Sequence, residues 1–259
     1  MSEYKGNKFY PKKSLGQNYL KDINICKNIV SSFDPIPGDN VIEIGPGQGA
    51  ITKFLLETGC RLTAVEFDRN NSAILKKEFP ELNIVTGDFL KYDLEAASGG
   101  KKELRIIGNI PYNITSPIIF RLIDYRSVIV NAQLMIQEEV AQRICAAPGN
   151  KEYGIPSVLT QAFCVPKLLF KVSNSCFFPK PKVDSRLIHF DFTRSMEASI
   201  KDTVFFRKLV KAAFSLRRKT LKNSLKNMEV DISKTGIDPG RRAETLSVQE
   251  FIDMSNILC

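Results

Sequence analysis

Residues 40–49 read NVIEIGPGQG, and residues 61–68 read RLTAVEFD. The first stretch is an apolar run ending in Gly45, Gly47 and Gly49. A run of that length reads as a buried strand, and glycines at its end let the chain turn tightly into a helix near 50–58. The second stretch reads as another strand, followed by a helix near 70–79. Working outward, residues 82–87, 104–109 and 132–137 are further apolar runs of strand length. A Gly/Ser-bearing loop is predicted at 96–102, with helices near 116–124, 138–146 and 155–163. Two β-rich runs, 167–173 and 186–192, close the series and are joined by a proline-rich segment. Apolar strands alternating with helices predict a mostly parallel sheet covered on both faces, with the last pair an antiparallel addition at one edge. From about residue 196 the pattern is helical only, which divides the chain into residues 1–195 and a small helical domain, 196–259.

Charge is unevenly placed. The 259 residues carry 37 Lys and Arg against 28 Asp and Glu, a net charge of +9. Residues 1–21 hold five cations and one acid, residues 201–259 hold twelve and seven, and the stretch between them is balanced. Two basic blocks around a neutral middle favour an extended polyanion as partner over a merely solvated lysine surface. No strongly basic helix with an aromatic face suggests a membrane surface. Arg126, Asn131 and Gln133 interrupt the longest apolar stretch, and the first residues lack a signal-peptide core. The six cysteines form no Cys-x-x-Cys pair and stand beside a single histidine, His189. Neither a metal site nor a disulfide framework is expected, and the reading is a reduced cytoplasmic protein.

The glycine turn gains meaning from two acids further along the chain. Glu66 ends the second strand twenty-one residues after Gly45, where a carboxylate can accept both hydroxyls of a ribose. Asp88 ends the third strand, where an acid can take an adenine amino group. A nicotinamide dehydrogenase is the rival, since it too uses a glycine turn. Its fingerprint is G-x-G-x-x-G, whereas here the third glycine comes one residue early and Pro46 follows the first. The pattern fits an adenosyl ligand with a short amino-acid tail better.

Residues 108–113, GNIPYN, leave the fourth strand at the carboxyl edge where ligands bind in open sheets. As a lone loop this would mean little. Placed after strand four, Asn/Asp-Pro-Pro-Tyr-type sequences mark amino methyltransferases of nucleobases. An exocyclic adenine amine is a poor nucleophile because its lone pair is delocalised into the ring. Acceptors on its N–H bonds, here the Asn109 side-chain oxygen and the Ile110 carbonyl, favour a pyramidal nitrogen. Pro111 fixes the turn, and Tyr112 is placed to stack on an extruded base. The amine sheds its proton readily once methylated, so positioning carries most of the rate. No cysteine follows Pro111, which disfavours cytosine C5 methylation. His189, mid-strand, reads as structural.

With these motifs in place the chain resembles the small-subunit ribosomal RNA adenine N6,N6-dimethyltransferases of the bacterial KsgA type. The likeness runs nearly end to end: residues 12–20 (KKSLGQNYL), 43–52, 108–117, 153–154, 177–185 (FFPKPKVDS), 213–225 (AFSLRRKTLKNSL) and 242–256. It implies a Rossmann-like class I methyltransferase, with a seven-stranded sheet and a helical C-terminal domain, acting as a monomer on the immature small subunit. The implied cofactor is S-adenosyl-L-methionine, with Asn18 and Leu20 helping to cover it and Gly45, Glu66, Asp88 and Asn109 around it. Phe177 matches an aromatic that sandwiches the target base opposite Tyr112. The implied product is dimethyladenosine at two adjacent residues near the 3′ end of small-subunit RNA. Tyr19, Ile110 and Phe89 depart mildly from the usual pattern, the last beside the cofactor adenine.

The basic ends suit such a partner. If 216–226 is one helix, Arg218, Lys219, Lys222 and Lys226 share an arc of roughly 100° while Leu221 and Leu225 turn to an adjoining face. With Arg217, these form the expected RNA-phosphate contact, beside the basic arm 1–21. Two alternatives are a macrolide-resistance-type methylase of large-subunit RNA and an assembly factor whose binding outweighs its catalysis.

Overall fold

The computed structural model describes residues 12, 15–216 and 218–259. Arg217 and residues 1–11, 13 and 14 of the basic arm lie outside them. The described chain opens with β1 (Tyr19–Leu20) and α1 (Ile23–Phe33). Strand and helix then alternate: β2 (Asn40–Ile44), α2 (Thr52–Leu56), β3 (Arg61–Glu66), α3 (Arg69–Glu78), β4 (Asn83–Thr86) and α4 (Leu94–Ser98). The alternation continues through β5 (Leu104–Asn109), α5 (Thr115–Asp124), β6 (Ile129–Gln137), α6 (Glu138–Ile144) and α7 (Ile155–Phe163). After β7 (Val165–Val172), β8 (Phe177–Phe178) and β9 (Ser185–Asp191), the remaining helices are α8 (Thr203–Ala213), α9 (Leu221–Ser224) and α10 (Val248–Leu258).

The predicted sheet is present, with seven strands in the order β4-β3-β2-β5-β6-β9-β7. The strands from β4 across to β6 pair in parallel, while β9 is antiparallel to both β6 and β7. The edge pair is therefore antiparallel as expected, and β9 alone runs against the rest. Strand order reverses between β2 and β5, which opens a crevice at their carboxyl ends, the usual ligand position in such sheets.

Strand periodicity divides the core between two faces. Val41, Ile107 and Met135 pack with Ile29, Phe33 and Leu55 of α1 and α2. Ile42, Ile44 and Ile106 pack on the other face with Ile118 and Leu122 of α5. The helices after residue 196 join this second cluster, because α8 turns Phe206, Leu209, Val210 and Ala213 inward at helical spacing. Phe206 meets Phe163 of α7 edge to face, with centroids 6.0 Å apart. Among the described residues no helix is long and apolar enough to cross a membrane.

Two local expectations are corrected. The loop placed at 96–102 is partly helical, since Asp93 caps α4 by accepting from the Ala96 N–H at 3.0 Å. The conditional helix 216–226 is not continuous. Thr220 is extended, and the N–H groups of Leu221 and Lys222 bond the carbonyls of Arg241 and Pro239 at 2.8 and 3.1 Å. Among the described residues of that stretch only the four of α9 are α-helical; Leu221 and Leu225 are buried, and Arg218, Lys219, Lys222 and Lys226 are exposed.

Candidate active site

A cavity of about 1060 Å³ opens at the carboxyl edge of the sheet, lined by the glycine turn, the ends of β3 and β5, and the β1–β8 ribbon. Gly45 and Gly47 have φ of +61° and +60°, a region open to glycine and strained for other residues. A Cβ on Gly47 would stand 2.9 Å from the Tyr19 ring, so the turn must be bare for Tyr19 to lie against it.

Two buried acids brace this turn. Glu66 accepts from the Gly47 N–H at 2.9 Å and the Asp68 N–H at 2.7 Å. Burial raises its pKa, with those two N–H bonds acting in the opposite sense. The Asn71 side chain hydrogen-bonds the same carboxylate and acts in that opposite sense too. Glu43 accepts from the Thr52 hydroxyl at 2.6 Å, tying β2 to α2. Its burial is complete enough to push its pKa up to about 8. Asp88 caps the short turn Phe89–Lys91 by accepting from the Leu90 N–H at 2.9 Å. Phe89 is buried against the same cavity.

The far wall is the 108–113 loop. The Asn109 amide donates to the Asn18 carbonyl at 3.0 Å, which reserves its oxygen for the cavity. The Ile110 N–H bonds the Met135 carbonyl at 3.0 Å, extending the sheet by one residue before Pro111 turns the chain. Tyr112 is half-buried, and its hydroxyl lies 3.0 Å from that of the buried Ser185 at the start of β9. Burial raises its phenol pKa. Phe177, 5% exposed, lines the same cavity. It pairs with Leu20 in the ribbon, where β1 runs antiparallel to β8.

The described part of the arm is pinned to this floor. Lys12 Nζ and Gln17 Nε2 converge on the Asp68 carboxylate at 2.9 and 3.2 Å. Burial works to raise the pKa of Asp68, but those donors and its own cap on Asn70 leave it below the ordinary value.

All six residues expected around a cofactor, namely Asn18, Leu20, Gly45, Glu66, Asp88 and Asn109, line this one cavity. So do Ile110, Pro111, Tyr112 and Phe177. The basic residues of 218–226 do not line it. His189 is a half-buried residue of β9 whose pKa burial lowers. Among the described residues no group of three or more His, Cys, Asp or Glu side chains is arranged to hold a metal ion. Sequence reasoning missed Phe67, which is 61% exposed and lines the cavity beside Glu66, and Asn71, which lines it from α3. For Phe67, a large aromatic directly after a strand-ending acid was the available signal.

The fold is the Rossmann-like one of the class I methyltransferases. The chain belongs to the ribosomal RNA adenine dimethylase family, whose model matches residues 8–259. It is 48% identical over 97% of its length to the Ribosomal RNA small subunit methyltransferase A of Chlorobium phaeobacteroides (strain BS1), covering 95% of that protein. The protein of the same name from Saccharophagus degradans is 42% identical, with 95% of this chain and 94% of that one covered. Among solved structures, a dimethyladenosine transferase from Plasmodium falciparum superposes with a TM-score of 0.77 at 24% identity, covering 92% and 98% of the two chains. The 23S rRNA methyltransferase ErmE shares the fold, with a TM-score of 0.68 at 22% identity over 93% of this chain and 99% of that one.

Proposed function

We propose that this chain transfers methyl groups from S-adenosyl-L-methionine to the N6 amines of two adjacent adenosines near the 3′ end of small-subunit ribosomal RNA. The product is N6,N6-dimethyladenosine, formed during small-subunit biogenesis in the cytoplasm, with the chain acting as a monomer on the immature subunit. The observation carrying this reading is the meeting of Asn109, Tyr112 and Phe177 in one cavity with the glycine turn and Glu66. The close relatives named for the small subunit favour that RNA over the large-subunit alternative.

The cavity residues fit the cofactor's chemistry. Glu66 keeps acceptor capacity for the ribose hydroxyl edge, Asp88 an oxygen for the adenine amine, and Phe67 an exposed ring to cover the adenine. Gly45 leaves the turn open for the methionine end, and Asn18 and Leu20 close the cavity from the arm side. When bound, S-adenosyl-L-methionine supplies an electrophilic methyl group on a sulfonium.

The protein's own work is to hold the target amine. Tyr112 and Phe177 take the flipped base between their rings. In the first transfer the Asn109 oxygen accepts one amine hydrogen and the Ile110 carbonyl the other. In the second a single N–H remains for one of these acceptors, and each transfer ends with the methylated amine shedding one proton. Pro111 keeps the two acceptors in register, and alignment supplies most of the acceleration. Arg217, Arg218, Lys219, Lys222 and Lys226 take RNA phosphates from the 196–259 unit, with the 1–195 unit carrying the chemistry.

Tritiated methyl transfer to small subunits lacking the modification, followed by digestion to nucleosides, tests the proposal. Label in N6-methyl- and N6,N6-dimethyladenosine is expected. Label in any other nucleoside overturns it.

A further inference from the structure

Phe178 has no part in the cavity, yet it stands at its edge. Successive strand residues point to opposite faces, so Phe177 faces inward while Phe178 is 49% exposed. Its register partner in the ribbon is Tyr19, which lines the cavity. The ammonium of Lys21 sits 4.0 Å from the Phe178 ring centroid, and Lys21 itself lines the cavity rim beside Ile23, which is 54% exposed. Lys180 and Lys182 come next in the same loop and are exposed. The acid nearest them in sequence, Asp184, is engaged by Lys171 at 2.8 Å. Among the described residues no carboxylate pairs with Lys21, Lys180 or Lys182.

A lone exposed aromatic is ordinary. This one is joined to the large cavity through a shared lysine and flanked by Lys180 and Lys182, neither of which forms a direct ion pair among the described residues. Such a combination suits single-stranded nucleic acid, in which each base offers a flat face and each linkage a negative charge. A lysine over one face of the ring leaves the other for a base. We propose that Phe178 is the stacking platform for the nucleotide next to the target adenosine in the RNA strand, with Lys180 and Lys182 taking its flanking phosphates. This rests on the reading of the cavity as the adenosine site.

The test uses small ribosomal subunits lacking the modification and the whole chain. Phe178→Ala weakens equilibrium binding to these subunits roughly tenfold, the range of a lost base–aromatic stack. Phe178→Tyr keeps the π face and restores binding, and binding of S-adenosyl-L-methionine is the same in all three proteins. The slope of log affinity against log salt is unchanged in Phe178→Ala, whereas Lys180→Gln with Lys182→Gln makes it shallower by about 0.7 per lysine. Binding by Phe178→Ala within about twofold of the unaltered chain, while that chain still methylates the subunits, overturns the platform alone. Absence of methyl transfer by the unaltered chain overturns the reading of the cavity instead.

Discussion

The side-chain amide of Asn109 is held by the backbone carbonyl of Asn18 across a 3.0 Å hydrogen bond. An amide that spends its N–H₂ on one side presents its oxygen to the other, so the segment before β1 fixes which atom the cavity sees. Asn109→Asp replaces that donor with an oxygen facing a carbonyl, and Asn109→Ala removes both functions. Each is expected to slow methyl transfer by about 100-fold or more, the scale of lost alignment, in single-turnover assays. Sedimentation with small subunits should show binding retained; transfer at the unaltered rate by Asn109→Ala would remove the residue from the mechanism.

Glu66 holds two backbone N–H groups at once. Glu66→Gln exchanges one acceptor for an amide that confronts an N–H, and it discards the charge on the other bond. Affinity for S-adenosyl-L-methionine should fall about 10- to 100-fold, the cost of one or two charge-assisted hydrogen bonds. Calorimetric titration reads this directly, and an unchanged dissociation constant would place the ribose elsewhere.

Glu43 gives the fold a pH signature. Its carboxyl titrates at 4.5 ordinarily and at about 8 when buried here. Between those values the folded protein keeps a proton that the unfolded chain gives up, so rising pH favours unfolding across this window. Glu43→Gln retains an acceptor for Thr52 and removes the titration. Scanning calorimetry from about pH 6 to about pH 9 should show a steeper fall in melting temperature for the unaltered chain than for the variant. Parallel curves would mean that Glu43 is ionised in the fold.

Gly108 lies where β5 passes β2 so closely that an added Cβ would meet the Ile44 carbonyl oxygen at 2.7 Å. Backbone cannot step aside as a side chain can. Gly108→Ala is expected to cost about 1–3 kcal/mol, the usual penalty of overpacking, in urea unfolding. A cost near zero would show that the strands can separate locally.

Arg218 and Lys222 are exposed on either side of Thr220 rather than on one helix face. Reversing both charges should weaken binding to unmodified subunits and flatten its salt dependence, while S-adenosyl-L-methionine binds as before. Unaltered subunit affinity at several salt concentrations would rule this patch out of the interface.

The large sheet was legible because most of its strands are apolar runs bounded by turn residues and the last two are β-rich runs, and the carboxyl-edge rule then placed Gly45, Glu66, Asp88 and Asn109 together. The β1–β8 ribbon was not, since two-residue strands carry no period and Tyr19 meets Phe178 from far along the chain. Helix α1 was readable in principle: Asp22 caps it, and Cys26, Ile29, Val30 and Phe33 recur at helical spacing. It falls before the first strand of the alternation, outside the pattern that organises the rest. The break at Thr220 was beyond local pattern, because residues 239–241 supply the hydrogen bonds that decide it.

The reversed direction of β9 decides which segment closes one side of the crevice. A strand running with the majority can offer the crevice only the chain that leaves it; β9 offers the chain that enters it. Residues 173–184 therefore reach the crevice as the bend of a hairpin, clamped at both stems by paired strands. Phe177 is delivered to the cavity from within that bend, where β8 pairs with β1. One wall of the crevice is therefore a segment tied down at both ends, not a free tail.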